Sequence, residues 1–170
     1  MTLEVGTKVI YPTQGPCLIG SVLDKEVASR PVSFYHLELL DESGGDLFVP
    51  VEKAHFVGLR LLLNRSEIPR LLAHLRKSCT IVKNWKQRAH NNLKLMNSGS
   101  AFDLAEIVDS LTELNEKKSL SFRESWMLER AKRLPVCEIS EVLGETKAAT
   151  EEQVDQALKA CGKRANPANP

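Results

Sequence analysis

"VGLRLLLNRSEIPRLLAHLRK", Val57 to Lys77, is where one periodicity of apolar residues gives way to another. From Ser66, placed to cap, Ile68, Leu71, Leu72 and Leu75 fall at i, i+3, i+4 and i+7, the spacing of a helix with one apolar face. Upstream of Val57 that spacing is missing. TKVIYP, CLIGSVL, SFYHLELL and DLFVPV are instead short, rich in Val, Ile, Leu, Phe and Tyr, and separated by turn-forming stretches such as PTQGP and ESGGD. The change of period predicts an α+β chain in two parts: a small antiparallel β-barrel or meander, then an all-α bundle. We place the β domain at 1–62, the helical domain at 63–162, and a flexible tail, KRANPANP, at 163–170.

Within SFYHLELL, alternation puts Phe34, His36, Glu38 and Leu40 on one face and Tyr35, Leu37 and Leu39 on the other, which is taken as the core side. Gly44 and Gly45 suit the hairpin leading to DLFVPV. Downstream, a helix is predicted from about Val82 to Met96, ending at Asn97-Ser98-Gly99, and Leu104, Ile107, Val108, Leu111 and Leu114 mark the next. Ser121 and Glu124, at capping-box spacing, open a fourth helix containing Trp126, Met127, Ala131 and Leu134; Pro135 should break or kink it, so that VCEISEVL is either its continuation or a separate short helix ending at Gly144. TEEQ, Thr150 to Gln153, opens a last one reaching about Cys161.

The composition is that of a globular chain, with 42% hydrophobic and 26% charged residues. No apolar run reaches the ~20 residues a membrane helix needs, and the start MTLEVGTKVIYP lacks a signal-peptide pattern, so a cytoplasmic location is expected. Cys17, Cys79, Cys137 and Cys161 are scattered, with no CxxC pair, and the four histidines are far apart, so neither a metal site nor a cofactor is expected. Walker-A, GxGxxG, GxSxG and HExxH motifs are all absent, which favours a binding protein over an enzyme and leaves no small-molecule substrate in view.

The net charge of +1 conceals a strong polarity. From Ile68 to Phe102 there is no Asp or Glu, whereas Arg70, Arg76, Lys77, Lys83, Lys86, Arg88 and Lys94 give +7; the remainder holds 16 basic against 22 acidic residues. A local positive surface attracts phosphate whatever distant residues sum to, so nucleic acid is the leading class of partner. Trp85 stands inside this run, and its residue pattern admits two readings. Val82, Trp85, Ala89, Leu93 and Met96 follow a helical stripe, which would make Trp85 core. Trp85 also occupies the first turn, at the end of the stripe, where a side chain can project past the bundle and act as an apolar wedge among cations.

These features together resemble the CarD/CdnL family of bacterial transcription regulators. V-G-x-x-V-x-Y-P-x-x-G is present as Val5, Gly6, Val9, Tyr11, Pro12 and Gly15, with Val49-Pro50 and then VGLR at Val57 to Arg60. W-x-x-R-x-x-x-N-L is present as Trp85, Arg88, Asn92 and Leu93, followed by Ser98-Gly99, Ala105-Glu106 and SFRESWMLERAKRL. The resemblance runs from about residue 3 to 145. It implies a Tudor-like (SH3-like) N-terminal domain, of the transcription-repair-coupling-factor type, that binds the RNA polymerase β subunit. It also implies a helical domain that stabilises the promoter open complex by inserting a tryptophan into the minor groove of double-stranded promoter DNA at the upstream edge of the −10 region. Carried over by position, the DNA-binding residues are Trp85, Lys86, Arg88, Lys83 and Lys94, and the polymerase-binding residues are Lys25, Phe48 and Pro50. Phe48 stands where relatives often carry arginine. The alternative is an adaptor of the same fold that contacts protein but not DNA.

Overall fold

The structure is a computed structural model describing residues 3–76 and 81–162, the side chains of 161 and 162 excepted. Lys77, Cys79 and the expected tail at 163–170 lie outside the described residues, as does the side chain of Cys161. The chain is α+β and divides into two compact units, the second beginning at Leu63.

The first unit is an antiparallel sheet of β1 (Lys8–Tyr11), β2 (Gly15–Val27), β3 (Arg30–Leu39), β4 (Asp46–Pro50) and β5 (Arg60–Leu61), in the order β4-β3-β2-β1-β5. The first four are the four stretches read as strands. The fifth, inside VGLR and its following leucine, is only two residues long and carries no alternation to read. Its approach depends on Gly58, whose φ is +79° and where an added Cβ would lie 3.0 Å from Pro12 Cγ, so two short motifs distant in sequence meet there. The core side of β3 is as the alternation has it: Tyr35 and Leu37 are buried with Val9, Cys17, Ile19 and Val49, and Leu39 packs at the margin. The Tyr35 hydroxyl accepts the backbone N–H of Leu3, 3.1 Å away, so the phenol's polar end is satisfied inside the core. Burial pushes the Cys17 thiol up to about 11, consistent with an inert packing residue.

One irregularity decides what the outer face of the sheet carries. The pairing of β2 with β3 shifts between Ile19, opposite Leu37, and Ser21, opposite His36, leaving Gly20 as an extra residue. Because side chains alternate, a one-residue shift exchanges faces. Beyond it Leu23 lies opposite Phe34 and Lys25 opposite Val32, on the outer face; without it both would point to the core side.

The second unit holds α1 (Ile68–His74), α2 (Trp85–Asn97), α3 (Ala101–Lys117), α4 (Phe122–Leu143) and α5 (Lys147–Gly162). Its core gathers Ile68, Leu71 and Leu75 from α1, Met96 from α2, and Leu104, Ile107, Val108, Leu111 and Leu114 from α3, with Ala131, Leu134 and Ile139 from α4. Two sequence expectations need correction, and an open one is decided. Ser66 does not cap α1: Asn64 and Glu67 form a capping box that opens a turn at Arg65–Glu67, and α1 continues from it. Of the two readings of VCEISEVL the structure has the continuation, not a break at Pro135: α4 runs through to its cap at Gly144, because residues on both sides of the proline, from Leu134 through Ser140, are buried and their packing outweighs one missing backbone hydrogen bond. The last helix starts before Thr150; the Thr146 hydroxyl accepts the Ala149 N–H at 3.2 Å, and Thr150 is instead fully buried. Lys132 of α4, within 3.1 Å of Glu151 and 2.7 Å of Asp155, fastens α5 alongside. No helix among the described residues is long and apolar enough to cross a membrane.

Val27 pairs with Arg30, so β2 and β3 are joined by Ala28 and Ser29, with φ of 50° and 61°. Two positive φ values in a two-residue hairpin belong to a type I′ turn, which favours Asn-Gly, and a side chain in the left-handed region costs roughly 1–2 kcal/mol. Replacing Ala28→Asn with Ser29→Gly is expected to stabilise the β unit by about 1 kcal/mol. Calorimetric unfolding of the full chain checks this, and an unchanged or lowered transition for that unit would show that the turn is not strained.

Candidate nucleic-acid interface

The segment without carboxylates supplies α2, and its start is built by Asn84. The Asn84 side chain accepts the backbone N–H groups of Lys86 at 3.0 Å and Gln87 at 3.4 Å, which fixes Trp85 as the first helical residue. The helix buries Arg88, Asn92 and Met96, spaced by four. Of the apolar stripe, only Met96 is core. Ala89 is exposed, Leu93 is 54% exposed and Val82 37%. Trp85 keeps 64% of its surface in solvent, so the stripe runs out of the bundle at its N-terminal end and leaves the indole projecting. Lys83, Lys86 and Lys94 are exposed on the same helix or just before it, and Lys86 Nζ lies 5.7 Å from the Trp85 ring centroid.

Arg88 corrects the expectation of a DNA-facing cation. It is 5% exposed, with Nε 3.0 Å and Nη2 2.5 Å from Glu124 Oε1 of α4, and Nη1 2.8 Å from the Val82 carbonyl oxygen. The guanidinium is committed to two protein acceptors, Glu124 and the Val82 carbonyl oxygen. Glu124 uses its second oxygen on the cap of α4, accepting Ser121 N–H at 3.0 Å and the Ser121 hydroxyl at 2.9 Å, while the Ser121 hydroxyl oxygen takes the Glu124 N–H. One carboxylate thus closes the start of α4 and holds the start of α2. Partial burial by itself would raise the Glu124 carboxyl, but the Ser121 hydrogen bonds and the Arg88 guanidinium outweigh it and bring it down to about 2. The sequence offered the capping box; that its glutamate also takes Arg88, 36 residues away, had no local signal.

The polymerase-binding residues expected in the first unit converge on its outer face. Phe48 is 48% exposed, Lys25 Nζ sits 4.5 Å over its ring, and the His36 ring stacks on it at 5.0 Å. His36 is held from both sides, with Nε2 2.6 Å from Asp46 Oδ1 and Nδ1 3.4 Å from the Ser21 hydroxyl. Pro50 follows opposite Phe34 on that face. His36 and Asp46 were not among the expected site residues, although alternation had placed His36 outward. No group of His, Cys, Asp or Glu among the described residues is arranged to hold a metal ion.

Comparison with known proteins gives the same division. The CarD C-terminal domain matches residues 70–155, and the CarD-like/TRCF RID domain matches residues 3–61. The candidate transcription factor YdeB of Bacillus subtilis (strain 168) is 23% identical over 146 residues, covering 84% of this chain and 94% of that protein.

The Arg88–Glu124 pair has a testable pH signature. The carboxyl falls from 4.5 to about 2 on folding, so its contribution is complete above about pH 4.5 and is lost as the pH drops toward 2. Glu124→Gln is expected to lower stability near neutral pH by about 1–3 kcal/mol. It should also flatten the acid limb of the stability profile. Denaturant unfolding between pH 7 and 3 measures both, and a parallel profile in wild type and variant would remove the pair's assigned role.

Proposed function

The chain belongs to the CarD-like family of transcription factors, and on that premise we propose that it bridges RNA polymerase and promoter DNA without catalysing a reaction. The first unit binds the polymerase β subunit through the face that carries Lys25, Phe48 and Pro50. The second inserts Trp85 into the minor groove at the upstream edge of the −10 region and so prolongs the open complex. The observation that supports this most is the exposure of the indole at the first turn of α2, anchored at its base by Arg88 and with Lys86 Nζ 5.7 Å from its ring centroid.

The chemistry suits a wedge. A flat apolar ring entering between base pairs must offset an unstacking cost of a few kcal/mol, and DNA already being opened lowers that cost. Lys83, Lys86 and Lys94 contribute phosphate contacts, which give affinity but no sequence readout. The reading therefore assigns selectivity to the polymerase and to the deformability of the DNA. On the β unit, a half-exposed phenyl flanked by a lysine and a histidine offers a centre of apolar area with a polar rim, which matches a protein-binding surface.

Trp85→Ala is expected to shorten open-complex lifetime at least about fivefold, the size of one ~1 kcal/mol contact. Its folding stability should change little, because most of the ring is already in water. Filter-retention decay of preformed complexes, paired with unfolding of the variant, checks this; an unchanged lifetime would refute the wedge. Independently, Lys25→Glu with Phe48→Ala should abolish capture of the isolated polymerase β subunit. Retained capture by that double variant would move the contact elsewhere.

A further inference from the structure

A second exposed tryptophan has no place in the interface described so far. On α4, Phe122 is 87% and Trp126 52% exposed, one turn apart and therefore on one face. Arg123, Arg130 and Arg133 lie within the same half of the helix surface, against a single carboxylate, Glu129. Arg130 stacks its guanidinium 5.5 Å from the Trp126 ring centroid. The other side of α4 is already used, by Glu124 on Arg88 and by Ala131 and Leu134 in the core. Phe122 is left almost wholly in water and Trp126 half so, beside three arginines, which is exposed apolar area in a positively charged setting.

We propose that this face of α4 is a second platform, on which Phe122 and Trp126 stack against unpaired bases of single-stranded DNA while the net positive charge of the face draws the adjoining phosphates. The inference rests on the DNA-contacting role proposed above for Trp85. Two observations favour this occupant over a protein partner. The first is charge: the face carries three cations against one carboxylate. The second is continuity. The Arg88–Glu124 pair joins the first turns of α2 and α4, so Trp85 stands three residues before one end of the pair and Phe122 two residues before the other. A duplex offers this platform only base edges and phosphates, whereas a strand released beside a wedge exposes base faces that flat rings can take up. The guanidinium of Arg130 over the indole extends the stacking surface.

The chain has two tryptophans, Trp85 and Trp126, so one substitution at a time leaves a single fluorescent reporter on each surface. In full-length Trp85→Phe, the remaining emission, from Trp126, is expected to be quenched by oligothymidylate, much less by a matched duplex, and the effect should fall steeply with salt. Adding Phe122→Ser in that background should weaken the oligothymidylate titration about tenfold, as expected for losing one stacked base. Circular dichroism of each variant confirms that it is folded. If Trp126 emission is indifferent to single strands while Trp85 emission in Trp126→Phe responds to promoter DNA, the platform is refuted and the wedge survives. If Trp126 responds and Trp85 does not, the platform stands and the wedge fails. Emission from Trp126 that changes only with RNA polymerase, or only with protein concentration through self-association, would assign the face to a protein partner or a second copy and overturn the proposal.

Discussion

The second unit depends on one ion pair with two tasks. Glu124 closes the α4 cap with one oxygen and receives Arg88 with the other, and Arg88 in turn ties the Val82 carbonyl oxygen. A buried guanidinium is tolerable only when its donors are used, and here three of its N–H contacts reach two acceptors. The pair does more than offset desolvation. It fixes the first turn of α2, and a side chain there can project into solvent without the turn fraying beneath it. An exposed indole on an unanchored helix end would instead fold back onto nearby apolar surface. Holding Trp85 out in water requires a rigid base, and the ion pair with the Asn84 cap supplies it.

A comparable constraint shapes the first unit. Gly20 adds one residue to β2, and the added residue exchanges the faces of everything beyond it, bringing Lys25 onto the side of Phe48. His36, clamped between Asp46 and Ser21, then sets the Phe48 ring by stacking. A phenylalanine at this place, where an arginine would have supplied its own charge, is given one by Lys25 above its ring. In both units an aromatic side chain is exposed and its orientation comes from polar partners around it.

Much of the fold was legible in the sequence because it follows from periodicity. The change of period after Val57 separates sheet from helices, the alternation in SFYHLELL identifies Tyr35 and Leu37 as core, and Ser121 with Glu124 marks the cap of α4. What was not legible depends on contacts distant in sequence or on packing that overrides a local rule. The helical stripe led to the expectation of apolar residues inward along α2, yet Ala89 and Leu93 face out while Arg88 and Asn92 are buried, because Glu124 provides Arg88 with a partner from another helix. The local chemistry of Pro135 left open whether α4 ends or continues there, and buried neighbours carry the helix through it. The bulge at Gly20 has no signature beyond a glycine in a strand. Trp126 was noted only as a member of α4, since spacing alone cannot say which residues of a two-faced helix face water.

The proposed surfaces are individually modest, and this affects how the protein would act. A half-exposed phenylalanine with one lysine, or a tryptophan with Lys86 beside it, offers little area, and phosphate contacts are weakened by physiological salt. Two weak contacts on one chain behave differently once the first is made. On the proposed reading, binding to polymerase would convert the DNA contact into an intramolecular event at high effective concentration, so that a wedge too weak to hold free DNA would become effective at a promoter already occupied by the enzyme. Free DNA, lacking the polymerase, gains none of that advantage. Specificity for promoters would then require no base-reading side chain in the second unit, which agrees with an interface made of an aromatic ring and lysines.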